Sequence, residues 1–245
     1  QGWWQFHEAE HHATRNGVAL YDMSSMSNIL VEGPDAERVL NHLGGNDVAV
    51  DVGTCVYTQW MSQAGKVLAD ITVTRLAEHQ FMVVVAEGFH RRVTTMLRRA
   101  IRPDDRMWVT DATSGLTMIS VQGPKSRDLL TRITDADLSN ESFPYYTAQQ
   151  IDLEYALAWA FRMSFVGELG WELYVPAEFA LGVYDAIVRE GESFDLVHAG
   201  MATLESTRTE AGRKDYGLDM ENTDSPIEAG LGFAVDFDKP GGFVG

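Results

Sequence analysis

The sequence predicts an α+β protein built from two related halves, each with antiparallel strands and helices packed against them. Three observations point there. First, "ILVEGPDAERVLNHL" (29–43) and "ISVQGPKSRDLLTRI" (119–133) align without a gap at an offset of 90. Ile29/Ile119, Val31/Val121, Gly33/Gly123, Pro34/Pro124 and Leu40/Leu130 are identical pairs, which reads as duplication of a strand–helix unit. Second, "KVLADITVTRLAEHQFMVVVAEG" (66–88) places two β-rich runs around a polar Glu78-His79-Gln80 turn, a hairpin signature. Third, amphipathic helical segments alternate with these strands, so each half has layers to pack together. The expected domain is one core spanning 1–245, with halves over about 22–101 and 112–190 and a closing segment 191–245. A cavity between such halves is a common ligand position.

Taken in order, residues 5–17 read as a helix, and 22–32 end in a strand. Gly33-Pro34-Asp35 opens a helix through Leu43, with the proline early in the first turn, where its missing N–H costs little. The hairpin follows, then a helix over about 88–101. The second copy adds hairpin-like strands at 145–153 and 156–165 and a helix at 177–190. A last helix carries Glu205, Arg208 and Glu210 and ends near Gly212, before a connection rich in Gly, Asp and Pro.

Composition narrows the function classes. A formal charge of −17 argues against a nucleic-acid partner, because phosphate binding is driven by Lys and Arg. No apolar run reaches the roughly 20 residues a membrane span requires. The single cysteine, Cys55, cannot form an intrachain disulfide and is expected to be a small core residue. The chain opens on Gln1-Gly2-Trp3-Trp4, with no signal-peptide pattern and no starting methionine, and is expected to be a piece of something longer.

Several motifs invite chemistry. "HEAEHH" (7–12) contains the His-Glu-x-x-His spacing of zinc peptidases, yet no later segment offers a third ligand, and an exposed polar helix is the better reading. No metal is expected. Neither a P-loop nor a Gly-x-Gly-x-x-Gly after a strand is present, so no nucleotide or flavin site is expected within this segment. In "KVLADITVT", Val67, Ala69, Ile71 and Val73 alternate onto one face and leave Asp70, Thr72 and Thr74 on the other. Asp70 is either part of a solvent face or a carboxylate held on a rigid strand for chemistry. In "FVGELGWELY" (165–174), Trp171, Leu173 and Val175 share one face, with Glu172 and Tyr174 opposite. Gly167 and Gly170 admit a close neighbour to the backbone. Two carboxylates in so apolar a stretch either meet water or are satisfied by a partner.

"EHHATRNGVALYDMSSM", "GPDAERVLN", "GKVLADITVTRL", "SFVGELGWELY", "ESTRTEAGRKDYGLDM" and "SPIEAGLGF" occur together and in this order along nearly the whole chain. In this the sequence resembles the glycine-cleavage T-protein (aminomethyltransferase) family. "VYTQW", "ADITVTRL" and "VGELGWEL" are most similar to the folate-binding domain fused to flavin-dependent dimethylglycine and sarcosine dehydrogenases.

The resemblance implies antiparallel sheets around a central folate cavity. It also implies tetrahydrofolate-dependent one-carbon transfer, giving 5,10-methylenetetrahydrofolate from an aminomethyl donor or an amine-derived imine. By the same resemblance Asp70 is the catalytic carboxylate and Glu172 holds the pterin, while Arg208, Phe165 and Tyr57 line the folate site. Phe165 stands where the family usually has tyrosine, and Ala69-Asp70 stands where T-proteins carry paired aspartates. Glu168 is expected to be structural or to lie at the rim of the site. Family members continue into a small β-barrel domain, expected to be missing here. The implied partners are folate, a one-carbon donor and a fused or separate flavin dehydrogenase domain; the expected compartment is the cytoplasm, or the mitochondrial matrix if the source is eukaryotic. A non-catalytic folate-binding module and a demethylase of another methyl donor are the alternatives.

Overall fold

The computed structural model describes residues 2–245; Gln1, the first residue of the expected core, lies outside the described residues. In chain order the elements are α1 (Trp4–Asn16), β1 (Ala19–Asp22), β2 (Ser27–Glu32), α2 (Ala36–Leu43), β3 (Cys55–Met61), β4 (Val67–Ala77) and β5 (Gln80–Val85). There follow α3 (His90–Ala100), β6 (Trp108–Asp111), β7 (Leu116–Gln122), α4 (Ser126–Leu130), β8 (Ala148–Leu153) and β9 (Ala156–Phe161). The chain continues through β10 (Gly170–Pro176), α5 (Ala180–Gly191), β11 (Val197–His198) and α6 (Met201–Glu210). The fold is α+β, as the sequence predicts.

Two compact units share these elements. The first joins the chain up to Ser24 with Ser114–Arg213. Its six-stranded sheet has the order β11-β1-β7-β10-β9-β8, antiparallel except for the short β11, which runs parallel to β1. Helices α4 and α5 cover one face over Val121, Leu129, Trp171, Leu173, Val183 and Ile187. The second unit joins Ser25–Thr113 with Lys214–Gly245 around a wholly antiparallel sheet, β3-β4-β5-β2-β6. In α2, Ala36, Val39, Leu40 and Leu43 follow helical spacing and are all buried. They pack with Ile29, Ile71 and Leu97 in the core of this unit.

The repeated Gly-Pro turn has the same geometry in both places. Gly33 has φ of 121° and Gly123 has φ of 124°, a region L side chains avoid. A Cβ on Gly33 would sit 2.2 Å from the Arg106 carbonyl oxygen, and one on Gly123 would sit 2.5 Å from that of Gly17. Ala36 and Ser126 each donate their N–H to the glycine carbonyl three residues back, at 3.0 Å in both turns. Each proline lies in this turn, two residues ahead of the first helical residue, rather than inside the helix. The helices then diverge: α2 runs eight residues, whereas α4 stops after five and tightens into i→i+3 bonds from Arg132 and Ile133.

Helix α1 lies against α6. Arg15 fixes it there, donating to the carbonyls of Val166 (2.7 Å) and Thr207 (2.8 Å) and pairing with Glu168 and Glu210. His7 Nε2 and His11 Nδ1 both lie within hydrogen-bond distance of Ser206 Oγ, at 3.0 and 3.1 Å. The His-Glu-x-x-His spacing thus directs two imidazoles at one hydroxyl of the neighbouring helix. Among the described residues no group of three or more His, Cys, Asp or Glu is arranged to hold a metal, and no helix is long and apolar enough to cross a membrane.

Candidate functional site

Asp70 sits mid-strand in β4, and the alternation that buries Val67, Ala69, Ile71 and Val73 turns it to the opposite face. Antiparallel pairing with β3 sets Gln59 directly across from it and Tyr57 one step along the same face, across from Thr72. Gln59 Nε2 donates to Asp70 Oδ1 at 2.8 Å, and the Tyr57 hydroxyl is a second hydrogen-bond partner. Asp70 keeps partial solvent access, yet burial pushes its pKa up to about 6 from 3.8. The Gln59 and Tyr57 bonds oppose that rise, and the nearby Asp215 charge adds to it. The Tyr57 ring stacks on Phe233, with centroids 6.1 Å apart and planes 29° from parallel. The result is a carboxylate in an aromatic, water-poor setting that can exchange a proton near neutrality.

Glu172 occupies the equivalent kind of place in the other unit. β10 buries Trp171, Leu173 and Val175 in the core and turns Glu172 and Tyr174 to the other face. The Tyr174 hydroxyl donates to Glu172 Oε2 at 2.9 Å, and its ring packs on Phe161 with centroids 4.5 Å apart. Glu172 retains partial accessibility, but burial pushes its pKa up to about 7, with the Tyr174 bond acting against the rise. That bond occupies Oε2. A carboxylate so poorly solvated, with acceptor capacity to spare, fits a ligand that brings paired N–H donors, as a pterin does.

Ser120 lies across from Glu172 on β7, and Gln122 lies across from Gly170. Gln122 Nε2 donates to Ser120 Oγ (2.9 Å) and to the Met163 carbonyl (3.2 Å), while its buried Oε1 has no partner among the described residues. A Cβ on Gly170 would lie 2.1 Å from that Oε1, and one on Gly167 would lie 2.5 Å from Ala211 Cβ. Both glycines therefore admit the close neighbours that the sequence implies.

The remaining expected residues fall into place differently. Glu168 pairs with Arg15 at 2.9 Å and so anchors α1, a structural role. Arg208 is almost wholly buried on α6, with Nε bonded to Glu205 Oε2 at 2.9 Å and a terminal nitrogen to the Arg213 carbonyl at 3.1 Å. Phe165 packs with Ala19, Tyr21 and Leu204 in a small cluster beside α6. Arg208 and Phe165 thus share the α6 neighbourhood, and Tyr57 belongs with Asp70. Gln59, Gln122 and Ser120 were not singled out from the sequence. Gln59 had a signal, as the polar residue in "VYTQW" on the same face as Tyr57; Gln122 precedes the repeated Gly-Pro.

The family model described as the GCVT N-terminal domain matches residues 1–239. A 4-methylaminobutanoate oxidase (formaldehyde-forming) from Paenarthrobacter nicotinovorans is 38% identical over 99% of this chain, which spans 29% of that protein. Human mitochondrial sarcosine dehydrogenase is 35% identical over 95% of the chain, which spans 27% of it. Among solved structures, the glycine cleavage system aminomethyltransferase T from Bartonella henselae superposes with a TM-score of 0.83 at 27% identity, over 94% of this chain and 61% of its own. The chain accordingly spans less than two thirds of each of these relatives. With nearly its whole length matched by the family model, the chain belongs to the GCVT N-terminal domain family.

Proposed function

We propose that this chain binds tetrahydrofolate and transfers a one-carbon unit to it from an N-methyl amine-derived donor, yielding 5,10-methylenetetrahydrofolate. Tetrahydrofolate, when bound, supplies the nitrogen that accepts the carbon. In this reading Glu172 presents its carboxylate to the N–H donors of the pterin, and Arg208, Phe165 and Tyr57 contribute to the folate site. Asp70 receives a proton or stabilises developing positive charge, a task suited to a carboxylate raised to about 6 and steered by Gln59 and Tyr57. The carrying observation is Glu172: a desolvated carboxylate bonded through one oxygen to Tyr174. Relatives named for 4-methylaminobutanoate and sarcosine support an N-methyl amine origin for the carbon; in this reading a fused or partner flavin dehydrogenase domain is its source. The matching Gly33 and Gly123 turns support duplication of the strand–helix unit.

The test is tetrahydrofolate titration followed by tryptophan fluorescence, since Trp171 adjoins Glu172 in sequence. Micromolar binding that Glu172→Gln loses supports the pterin assignment. Equal binding by both proteins places the pterin elsewhere.

A further inference from the structure

Lys239 is a buried lysine, 4% exposed, with no part in the chemistry above. Its ammonium donates to three backbone carbonyls: Asn41 (2.7 Å), Asn46 (2.9 Å) and Gly44. An ammonium has three hydrogens, and each finds an acceptor. Asn41 and Gly44 lie in the last turn and cap of α2, where helical carbonyls lack internal partners, so the cation also meets the negative end of the helix dipole. The Phe243 ring centroid lies 5.2 Å from Nζ.

The segment held by this cation is the backing of β3. Gly44 bridges to Trp60, and Gly45 N–H donates to the Gln59 carbonyl at 2.9 Å. Asn46 N–H donates to Thr58 Oγ1 at 2.9 Å, and its side-chain amide donates to the Tyr57 carbonyl at 3.1 Å. Two of the four β3 residues so gripped, Tyr57 and Gln59, are the hydrogen-bond partners of Asp70. Further along the same segment, Asp236 N–H donates to the Gly45 carbonyl, joining residues just after Phe233, the ring stacked on Tyr57. A continuous set of bonds therefore runs from one ammonium to both partners of one carboxylate, all within the second unit.

We propose that Lys239 is a positioning residue for Asp70: its ammonium fixes the 44–46 segment, which sets Gln59 and Tyr57 against the carboxylate. The catalytic consequence rests on the assignment of Asp70 above; the positioning itself does not. Burial pulls the Lys239 pKa down to about 8, against the raising influence of Asp47 and Asp236. Its proton can therefore be removed under conditions in which proteins remain folded.

The experiment is a pH titration of the protein selectively labelled with ¹⁵N-glutamine, following the Gln59 side-chain amide, which Gln59→Leu assigns. The wild type should show two inflections in this signal, one as Asp70 ionises and a second as Lys239 loses its proton. Lys239→Met, similar in length but uncharged, should reduce the Asp70-linked displacement at least twofold and remove the second inflection. Lys239→Ala should recover the displacement with added propylammonium but not with sodium. Retention of the full displacement in folded Lys239→Met would overturn the proposal. If that variant does not fold, a wild-type signal lacking the second inflection would overturn it equally. A lost displacement with unchanged one-carbon transfer would uphold the positioning and count against Asp70 as the catalytic group.

Discussion

Tyr174 and Glu172, two residues apart on one face of β10, are joined by a 2.9 Å hydrogen bond from the hydroxyl to the carboxylate, with Phe161 packed against the tyrosine ring. That bond favours the ionised acid while burial disfavours it, and burial prevails, leaving the group near pH 7. A ligand that needs the ionised form must displace a proton to bind. Tetrahydrofolate affinity should rise nearly tenfold per pH unit below about 7 and level off above it. Calorimetry in buffers of different ionisation enthalpy should register proton release near neutrality. Tyr174→Phe removes a force that lowers the pKa, so the affinity curve should move to higher pH; a shift to lower pH would contradict the assignment.

Asp70→Asn should abolish one-carbon transfer while leaving folate affinity within a few-fold of wild type. In the wild type, the transfer rate should climb as pH rises through about 6, because the ionised carboxylate is the active form. Gln59→Leu removes a hydrogen bond that favours ionisation, so the midpoint should move upward. Stopped-flow measurement of transfer against pH checks both, and a flat profile in wild type removes Asp70 from the chemistry.

The same burial makes both acids a cost to the fold. Each folded-state pKa is raised, so the native protein binds more protons than the unfolded chain between the unfolded value and the folded one. Stability should therefore fall as pH rises from about 4 to about 6 for Asp70, and from about 4.5 to about 7 for Glu172, then stay level. Asp70→Asn and Glu172→Gln should each stabilise the ligand-free protein at pH 8 by on the order of 1–3 kcal/mol. Thermal unfolding at pH 4 and pH 8 is the check: the gain should appear at pH 8 and shrink at pH 4.

Glu168 offers the contrast. It pairs with Arg15 and anchors α1, away from the group bonded to Tyr174. Glu168→Gln should cost about 1 kcal/mol of stability and leave folate affinity unchanged within twofold. A loss of binding comparable to that of Glu172→Gln would reverse the roles of the two acids in "FVGELGWELY".

Gly33→Ala and Gly123→Ala should be poorly tolerated, because each combines a positive φ with a Cβ inside 2.6 Å of a backbone carbonyl. The expected loss is at least about 1–3 kcal/mol each. Gly65→Ala, also at positive φ but with no atom near its Cβ, should cost about 1 kcal/mol. Chemical denaturation of the three variants separates backbone strain from steric overlap.

Alternation in "KVLADITVT" and "GWELYV" was enough to put Asp70 and Glu172 on the faces they occupy, because a strand has only two faces and the core claims one. The partners were not legible. Gln59 reaches Asp70 through strand register, which is set by pairing between β3 and β4 rather than by either segment alone. Partial burial of Glu172 was hidden for the same reason, since the residues set across from it, Phe161 and Ser120, come from neighbouring strands. Helix α1 reads as an exposed polar helix because its anchors, Arg15 and the two histidines, are polar and find their partners on α6, nearly 200 positions later in the sequence.

The interleaving of the two units governs when each can be completed during synthesis. β1 waits for β7, and Arg15 waits for Thr207, so the first unit cannot close until its final helix has left the ribosome. The second unit begins later but has all five strands of its sheet by residue 111, and still awaits Lys239 to cap α2. Nascent chains of intermediate length therefore hold one unfinished sheet edge and one uncapped helix at the same time. High-separation pairing of this kind slows folding, and chains halted between residues 113 and 213 should be the ones that chaperones retain longest.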